Sequence, residues 1–231
     1  IPVEILLTAV GETIEECETA INRLGASNVG TILDYSVEGK ATEEDFDHTK
    51  DEIIKTIQRA QGDPNIPFSV FKVTGIAPLG TLERMSKKKK LDAKSQAKCE
   101  RIRRRVAEIC EAAYYADQPL FIDAEDSWIQ DAIDRMVTDA MERYNREKPI
   151  IYNTLQMYRT DRLQFLKDAR RQAQNDGYIL AVKLVRGAYM EKERDRAAEM
   201  GYESPIHLTK VDTDADYDAA LEYCMRHYKD M

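Results

Sequence analysis

Short apolar runs alternate with long amphipathic stretches along this chain. Val29 to Val37 is the first run, rich in β-branched residues and ended by Glu38-Gly39, and it reads as a strand. Before it, Glu12 to Leu24 sets Ile14, Cys17, Ile21 and Leu24 at helical spacing, with Gly25 as a stop. After it, Thr42 opens a helix with acidic residues in its first turn, which runs to Gln61 through Phe46, Ile53, Ile54 and Ile57. The strand signal returns at Phe68–Thr74, Leu120–Asp123, Pro149–Leu155 and Tyr178–Val185. Between and after these runs, helical periodicity covers about 82–116, 127–145, 161–175, 191–200 and 214–227.

Apolar strands separated by long helices predict parallel βα units with the sheet buried on both faces. Two architectures satisfy that pattern, a doubly wound sheet and a (β/α)8 TIM-type barrel. No GxGxxG or Walker loop follows the first strand, which favours the barrel. Only about five of the eight units a barrel needs are present. The 231 residues are therefore expected to be the N-terminal part of a single barrel domain, with its C-terminal units absent from this chain.

Composition narrows the function more than the fold. With 43% hydrophobic and 33% charged residues, the chain is too apolar for a disordered tail and too charged for a membrane bundle. Its net charge of -8 argues against nucleic acid as a partner. Cys17, Cys99, Cys110 and Cys224 form no CxxC. Cys99 and Cys110 lie about 16 Å apart along one predicted helix, beyond disulfide reach. A reducing compartment follows. His48, His207 and His227 stand alone, so no metal site is expected.

The chemistry sits where strands end. In a barrel, polar side chains at the C-terminal ends of the strands converge on one mouth. This chain supplies Glu38, Lys72, Asp123, Gln156, Lys183 and Arg186 there. Lys72, Asp123 and Lys183 interrupt apolar runs, and a charge taken from water needs a partner or a ligand. The plainer alternative is a structural ion network across the barrel interior. Lys87 to Lys90, with Arg101 and Arg103 to Arg105, suits an anionic lipid surface, but in a chain this acidic it reads rather as a solvated helix face. Glu191/Arg194 and Glu193/Arg196 are spaced as i,i+3 surface pairs.

The run Lys183-Leu-Val-Arg-Gly-Ala-Tyr-Met-Glu-Lys-Glu-Arg194, continuing to Gly201-Tyr-Glu-Ser-Pro-Ile206, resembles the proline dehydrogenase family. So do Ile32-Leu-Asp-Tyr-Ser-Val-Glu-Gly39, Phe121-Ile-Asp-Ala-Glu-Asp-Ser-Trp128 and Asn153-Thr-Leu-Gln-Met-Tyr158, in the family's order. The resemblance is nearer to the monofunctional enzymes than to the large bifunctional bacterial proteins. It implies a distorted (β/α)8 barrel holding FAD, which oxidises L-proline to 1-pyrroline-5-carboxylate and passes electrons to a membrane quinone.

By motif, the resemblance implies Lys72 as the partner of the proline carboxylate, Asp123 as the active-site aspartate, and Lys183 as the cation facing the flavin. It implies that Gln156 hydrogen-bonds the flavin and that Arg186, Gly187 and Ala188 line it. It further implies Leu184 and Tyr189 at the border of the proline pocket, Glu38 as a glutamate closing the site through an ion pair, and His207–Lys210 near the cofactor. The resemblance also implies two adjacent arginines on the last barrel helix and a Ser/Thr-His pair after the sixth strand, and this chain stops at Met231, before either. Met190 stands where some members carry an aromatic. The quinone implies a cytoplasmic enzyme peripheral to the inner membrane, or a mitochondrial one in a eukaryote. Hydroxyproline is a close variant of the substrate. Two other readings stay open: a barrel aldolase using Lys72 as a Schiff-base amine, and a truncated, non-catalytic barrel fragment.

Overall fold

The predicted strands form one parallel sheet in the computed structural model. Its members are β1 (Ile32–Asp34), β2 (Phe68–Phe71), β3 (Leu120–Ile122), β4 (Ile151–Gln156) and β5 (Val182–Val185). They pair strictly in sequence order, β1-β2-β3-β4-β5. A doubly wound sheet reverses its strand order at a switch point. This sheet has no such reversal, as successive units of a (β/α) barrel require. The structure describes residues 13–35, 42–87 and 92–231.

Helices make every connection. α1 (Ile14–Gly25) precedes β1, and α2 (Glu43–Ala60) joins β1 to β2. α3 (Leu79–Ser86) and α4 (Ala93–Tyr115) follow β2, α5 (Ser127–Tyr144) follows β3, and α6 (Arg162–Asp176) follows β4. α7 (Met190–Met200) and α8 (Lys210–His227) follow β5. Capping residues set several of these boundaries. Thr42 and Asp45 form a reciprocal capping box at α2, and Thr209 and Asp212 form another at α8. Gly177 and Gly201 end α6 and α7 at φ 72°, where a side chain would be strained.

Several expectations change. The helical stretch expected over 82–116 is two helices, the second opened by Asp92 capping the Ser95 amide at 2.7 Å. α8 starts four residues before the expected Asp214, because its capping box lies upstream. Gly25 is the last residue of α1 rather than a stop after it. The Asn65 side-chain amide occupies the place a Cβ would take there. β1 and β5 are shorter than their apolar runs. Thr31 bonds the Asn65 carbonyl instead of a ladder, and Ile179 bonds the Asn145 carbonyl. The fully buried Asn145 side chain also accepts from the Ile150 and Ile151 amides, so it organises the entry to both β4 and β5.

The sheet has two unlike faces. On one, Phe71, Leu120, Ile122, Ile151 and Leu155 are wholly buried beneath the helices. Each such side chain contributes about 1.5–3 kcal/mol of transfer free energy. On the other, Phe68 and Phe121 stack at 4.2 Å, and Tyr152 meets both edge-on at 5.5 Å. These three rings are only half-buried. They form an apolar floor inside the curve of the sheet.

The expected pairing of Glu193 with Arg196 is replaced by inward packing. Glu193 is 1% exposed and accepts from the Ser127 amide and hydroxyl, both at 2.6 Å. Arg196 instead pairs with Glu83 at 2.8 Å and lies 4.1 Å from the Trp128 ring centroid.

Candidate functional site

Above the aromatic floor, at the C-terminal ends of the strands, four charges form a chain. Asp34 ends β1, Lys72 follows β2, Asp123 follows β3, and Lys183 lies within β5. Lys72 Nζ stands 3.2 Å from Asp34 Oδ2 and 3.7 Å from Asp123 Oδ2. Lys183 Nζ bonds the other oxygen of Asp123 and lies 5.0 Å from the centroid of the Phe121 ring. Thr154 Oγ1 reaches Asp123 Oδ1 at 3.5 Å. Two aspartates and two lysines make the cluster neutral overall.

The register explains the convergence. Val70 pairs with Phe121, Phe121 with Tyr152, and Thr154 with Lys183. Side chains alternate along a strand, so Lys72, Asp123, Thr154 and Lys183 rise on the same face as the aromatic floor. Thr154 is buried, whereas the charged members are only partly so, with Asp123 20% and Lys72 32% exposed. A ligand can therefore reach the charged groups.

Burial alone would lower the Lys72 pKa, but Asp34 and Asp123 more than offset it, and the ammonium is held above its ordinary range. Tyr189 joins this group. Burial raises its phenol pKa, and its hydroxyl senses the charges of Glu125, Lys72, Asp126 and Asp123.

Gln156 is 1% exposed. Its Nε2 donates to the Glu125 carbonyl at 2.6 Å and to the Tyr158 hydroxyl at 2.8 Å, whereas its Oε1 is buried without a partner. An unpartnered buried acceptor costs about 1–3 kcal/mol, which fits an atom kept for a ligand.

Other predicted residues fall elsewhere. Leu184, next to Lys183, packs against the helix-side core, because alternation sends neighbours to opposite faces. Arg186 is exposed, lying 3.4 Å from Asp214 and 5.0 Å from the Tyr217 ring centroid on α8. Gly187 and Ala188 are exposed beside it. A Cβ at Gly187 would meet only Met190 Sδ at 3.7 Å, so the surrounding protein does not impose glycine there. His207 pairs with Asp216 at 2.9 Å. Glu38 lies outside the described residues.

Three residues of this arrangement carry no distinguishing signal in the sequence: Asp34 falls inside the first apolar run, and Glu125 and Tyr158 appear only as members of motifs. Among the described residues, no group of His, Cys, Asp or Glu has the arrangement of a metal site, and no helix is long and apolar enough to cross a membrane.

Comparison with known proteins places the chain. A family model described as proline dehydrogenase matches residues 17–231. The carbapenem antibiotics biosynthesis protein CarD of Pectobacterium carotovorum subsp. carotovorum is 34% identical over 213 residues, covering 92% of this chain and 56% of that protein. Proline dehydrogenase 1, mitochondrial, of Dictyostelium discoideum is 30% identical over 258 residues, covering 95% of this chain and 45% of that protein. The chain thus spans about half the length of these curated relatives. Among solved structures, proline utilization A of Bdellovibrio bacteriovorus inactivated by N-propargylglycine matches with a TM-score of 0.82. That match covers 96% of this chain and 24% of the other at 16% identity, a likeness of fold.

Proposed function

The chain belongs to the proline dehydrogenase family, and on that premise we propose that the protein oxidises L-proline to 1-pyrroline-5-carboxylate using FAD. A membrane quinone takes the electrons, and the protein works at a membrane surface. The observation that carries this reading is the Asp34–Lys72–Asp123–Lys183 cluster above an apolar aromatic floor. It offers one cation for a small carboxylate and a flat, ring-lined surface for the rest of a compact substrate.

The residues fit a flavin. Gln156 Oε1 is an acceptor awaiting a donor, Lys183 brings positive charge over the floor, and Gly187 leaves its surroundings open. In this reading Gln156, Arg186, Gly187 and Ala188 hold the cofactor. When bound, FAD supplies the two-electron acceptor for the hydride leaving the ring carbon beside the amine. The protein's part is positional. Lys72 fixes the substrate carboxylate, Asp123 holds both lysines in place, Tyr189 borders the substrate, and the rings below exclude water. Leu184 is left out of this site, since its packing serves the helix-side core.

The charge state of Lys72 speaks against the aldolase. A Schiff-base lysine attacks as a neutral amine and is helped by a lowered pKa, whereas two carboxylates hold this one as an ammonium. The test is the visible spectrum of the purified protein before and after L-proline is added. A flavin band that bleaches with proline is expected. A colourless protein, or a flavin that stays oxidised under saturating proline, overturns the proposal.

A further inference from the structure

We propose that Glu125 is a positioning residue that ties the Lys72 arm of the site to the Gln156 arm. The inference rests on the proline dehydrogenase reading for its functional meaning, and on independent geometry for the coupling itself. Glu125 is 5% exposed, and burial pushes its carboxyl pKa up, against the hydrogen bonds that favour the charged form. A buried carboxylate is costly to keep, and this one is kept by two bonds from Thr74.

Its bonds reach both arms. The carboxylate accepts from the Thr74 amide at 3.0 Å and from the Thr74 hydroxyl. Thr74 lies in a single helical turn, Val73–Gly75, that Lys72 caps, and the Gly75 amide closes that turn on the Lys72 carbonyl at 3.1 Å. Clamping Thr74 therefore fixes the backbone from which Lys72 extends. The Glu125 carbonyl accepts from Gln156 Nε2 at 2.6 Å. Its amide donates to Gln130 Oε1 at 2.8 Å, and Gln130 continues to Asp134 at 2.9 Å, which Asn153 of β4 also reaches at 3.0 Å. Residue 125 is thus anchored to α5 and β4 while its side chain holds the end of β2. Lys72 is also among the charges that act on its carboxyl.

The experiment compares Glu125→Ala, Glu125→Gln and Thr74→Ala in the full protein. Glu125→Ala is expected to raise the KM for L-proline about tenfold or more, with a smaller fall in kcat, and Thr74→Ala, which loses only the hydroxyl bond, to raise it a few-fold, as misplacement of a binding group does. Glu125→Gln recovers most of this, because its amide oxygen still accepts from the Thr74 amide. The double alanine variant costs no more than the worse single one, the mark of a shared path.

A second readout needs no flavin. After reductive 13C-methylation of the lysines, the Lys72 signal, assigned through Lys72→Arg, should move in both alanine variants and return in Glu125→Gln. Should Glu125→Ala fail to fold, the partly buried Thr74→Ala carries the test. A Lys72 signal and a KM both unchanged in folded Thr74→Ala overturn the inference. If the wild type neither binds flavin nor oxidises proline, the parent reading fails while the Lys72 signal still decides the coupling.

Discussion

Replacing Lys72 with methionine keeps the length and apolar stem of the side chain and removes its charge. An ammonium and a carboxylate about 3 Å apart attract by roughly 5 kcal/mol at an effective dielectric near 20. Lys72 is 32% exposed, so solvent screening reduces the net value of such a contact to about 2 kcal/mol. The substitution also changes the neutral cluster to a net charge of -1, because Asp34 and Asp123 lose the cation that stood 3.2 and 3.7 Å from them. Their repulsion of a substrate carboxylate adds up to about 1 kcal/mol after the same screening. At 1.4 kcal/mol per decade, KM for L-proline should rise by about 30- to 100-fold, with the flavin content unchanged. Steady-state kinetics on enzyme normalised by its visible flavin absorbance measures this. The companion variant Lys72→Met/Asp34→Asn restores neutrality and should regain only the repulsive part, a few-fold. An unchanged KM in the single variant refutes the assignment. A double variant with wild-type KM refutes it too, because Lys72 would then serve only to balance Asp34.

Two further predictions concern the scaffold. Glu43 is held at about 2 by hydrogen bonds from Arg101 and Arg105, against the desolvation that opposes them. A carboxyl depressed in the folded state stabilises the protein above its unfolded value of about 4.5 and loses that contribution as pH falls toward 2. Acid unfolding followed by circular dichroism should therefore show a shallower decline between pH 4.5 and 2 in Glu43→Gln than in the wild type, and equal slopes would contradict the pairing. Burial pushes the Cys110 thiol up to about 12, so it has almost no thiolate at pH 8. In the native protein a disulfide reagent should modify the partly exposed Cys17 before Cys110 by about a hundredfold or more in rate, and peptide mapping of early labelling reads the order.

The alternation of strand and helix was legible because apolar runs of strand length were separated by helical periodicity. Which side chains share a face was harder to read. Both faces of the sheet are apolar in the strand interiors, with Phe68, Phe121 and Tyr152 on one side and Phe71, Leu120 and Ile151 on the other. Continuous apolar runs hide a period of two. Asp34 shows the cost. The apolar run extends to Val37 and points to Glu38 as the strand end, whereas the ladder stops at Asp34. Glu125 was illegible for another reason. Its partners, Thr74 and Gln156, come from packing between units, which local pattern does not encode.

Once the ladder ends are known, however, the sequence does carry the site's face. Lys72-Val73-Thr74, Asp123-Ala124-Glu125 and Thr154-Leu155-Gln156 each alternate polar, apolar, polar, and Lys183-Leu184 begins the same way. The apolar members Val73, Ala124 and Leu155 are buried, and Leu184 packs against the same helix-side core. The polar members meet across the mouth, through contacts of Lys72 and Lys183 with Asp123, Thr74 with Glu125, and Gln156 with the Glu125 carbonyl. A shift of one residue in the paired ends of β4 and β5 would turn Leu155 or Leu184 into the site and Gln156 or Lys183 into the core. That penalty makes the polar ends of the strands more informative than their apolar middles. It also explains why Lys183 and Leu184, adjacent in one motif, belong to different parts of the molecule. Motif membership selects a segment, and the pleat of the sheet decides which of its residues can touch a ligand.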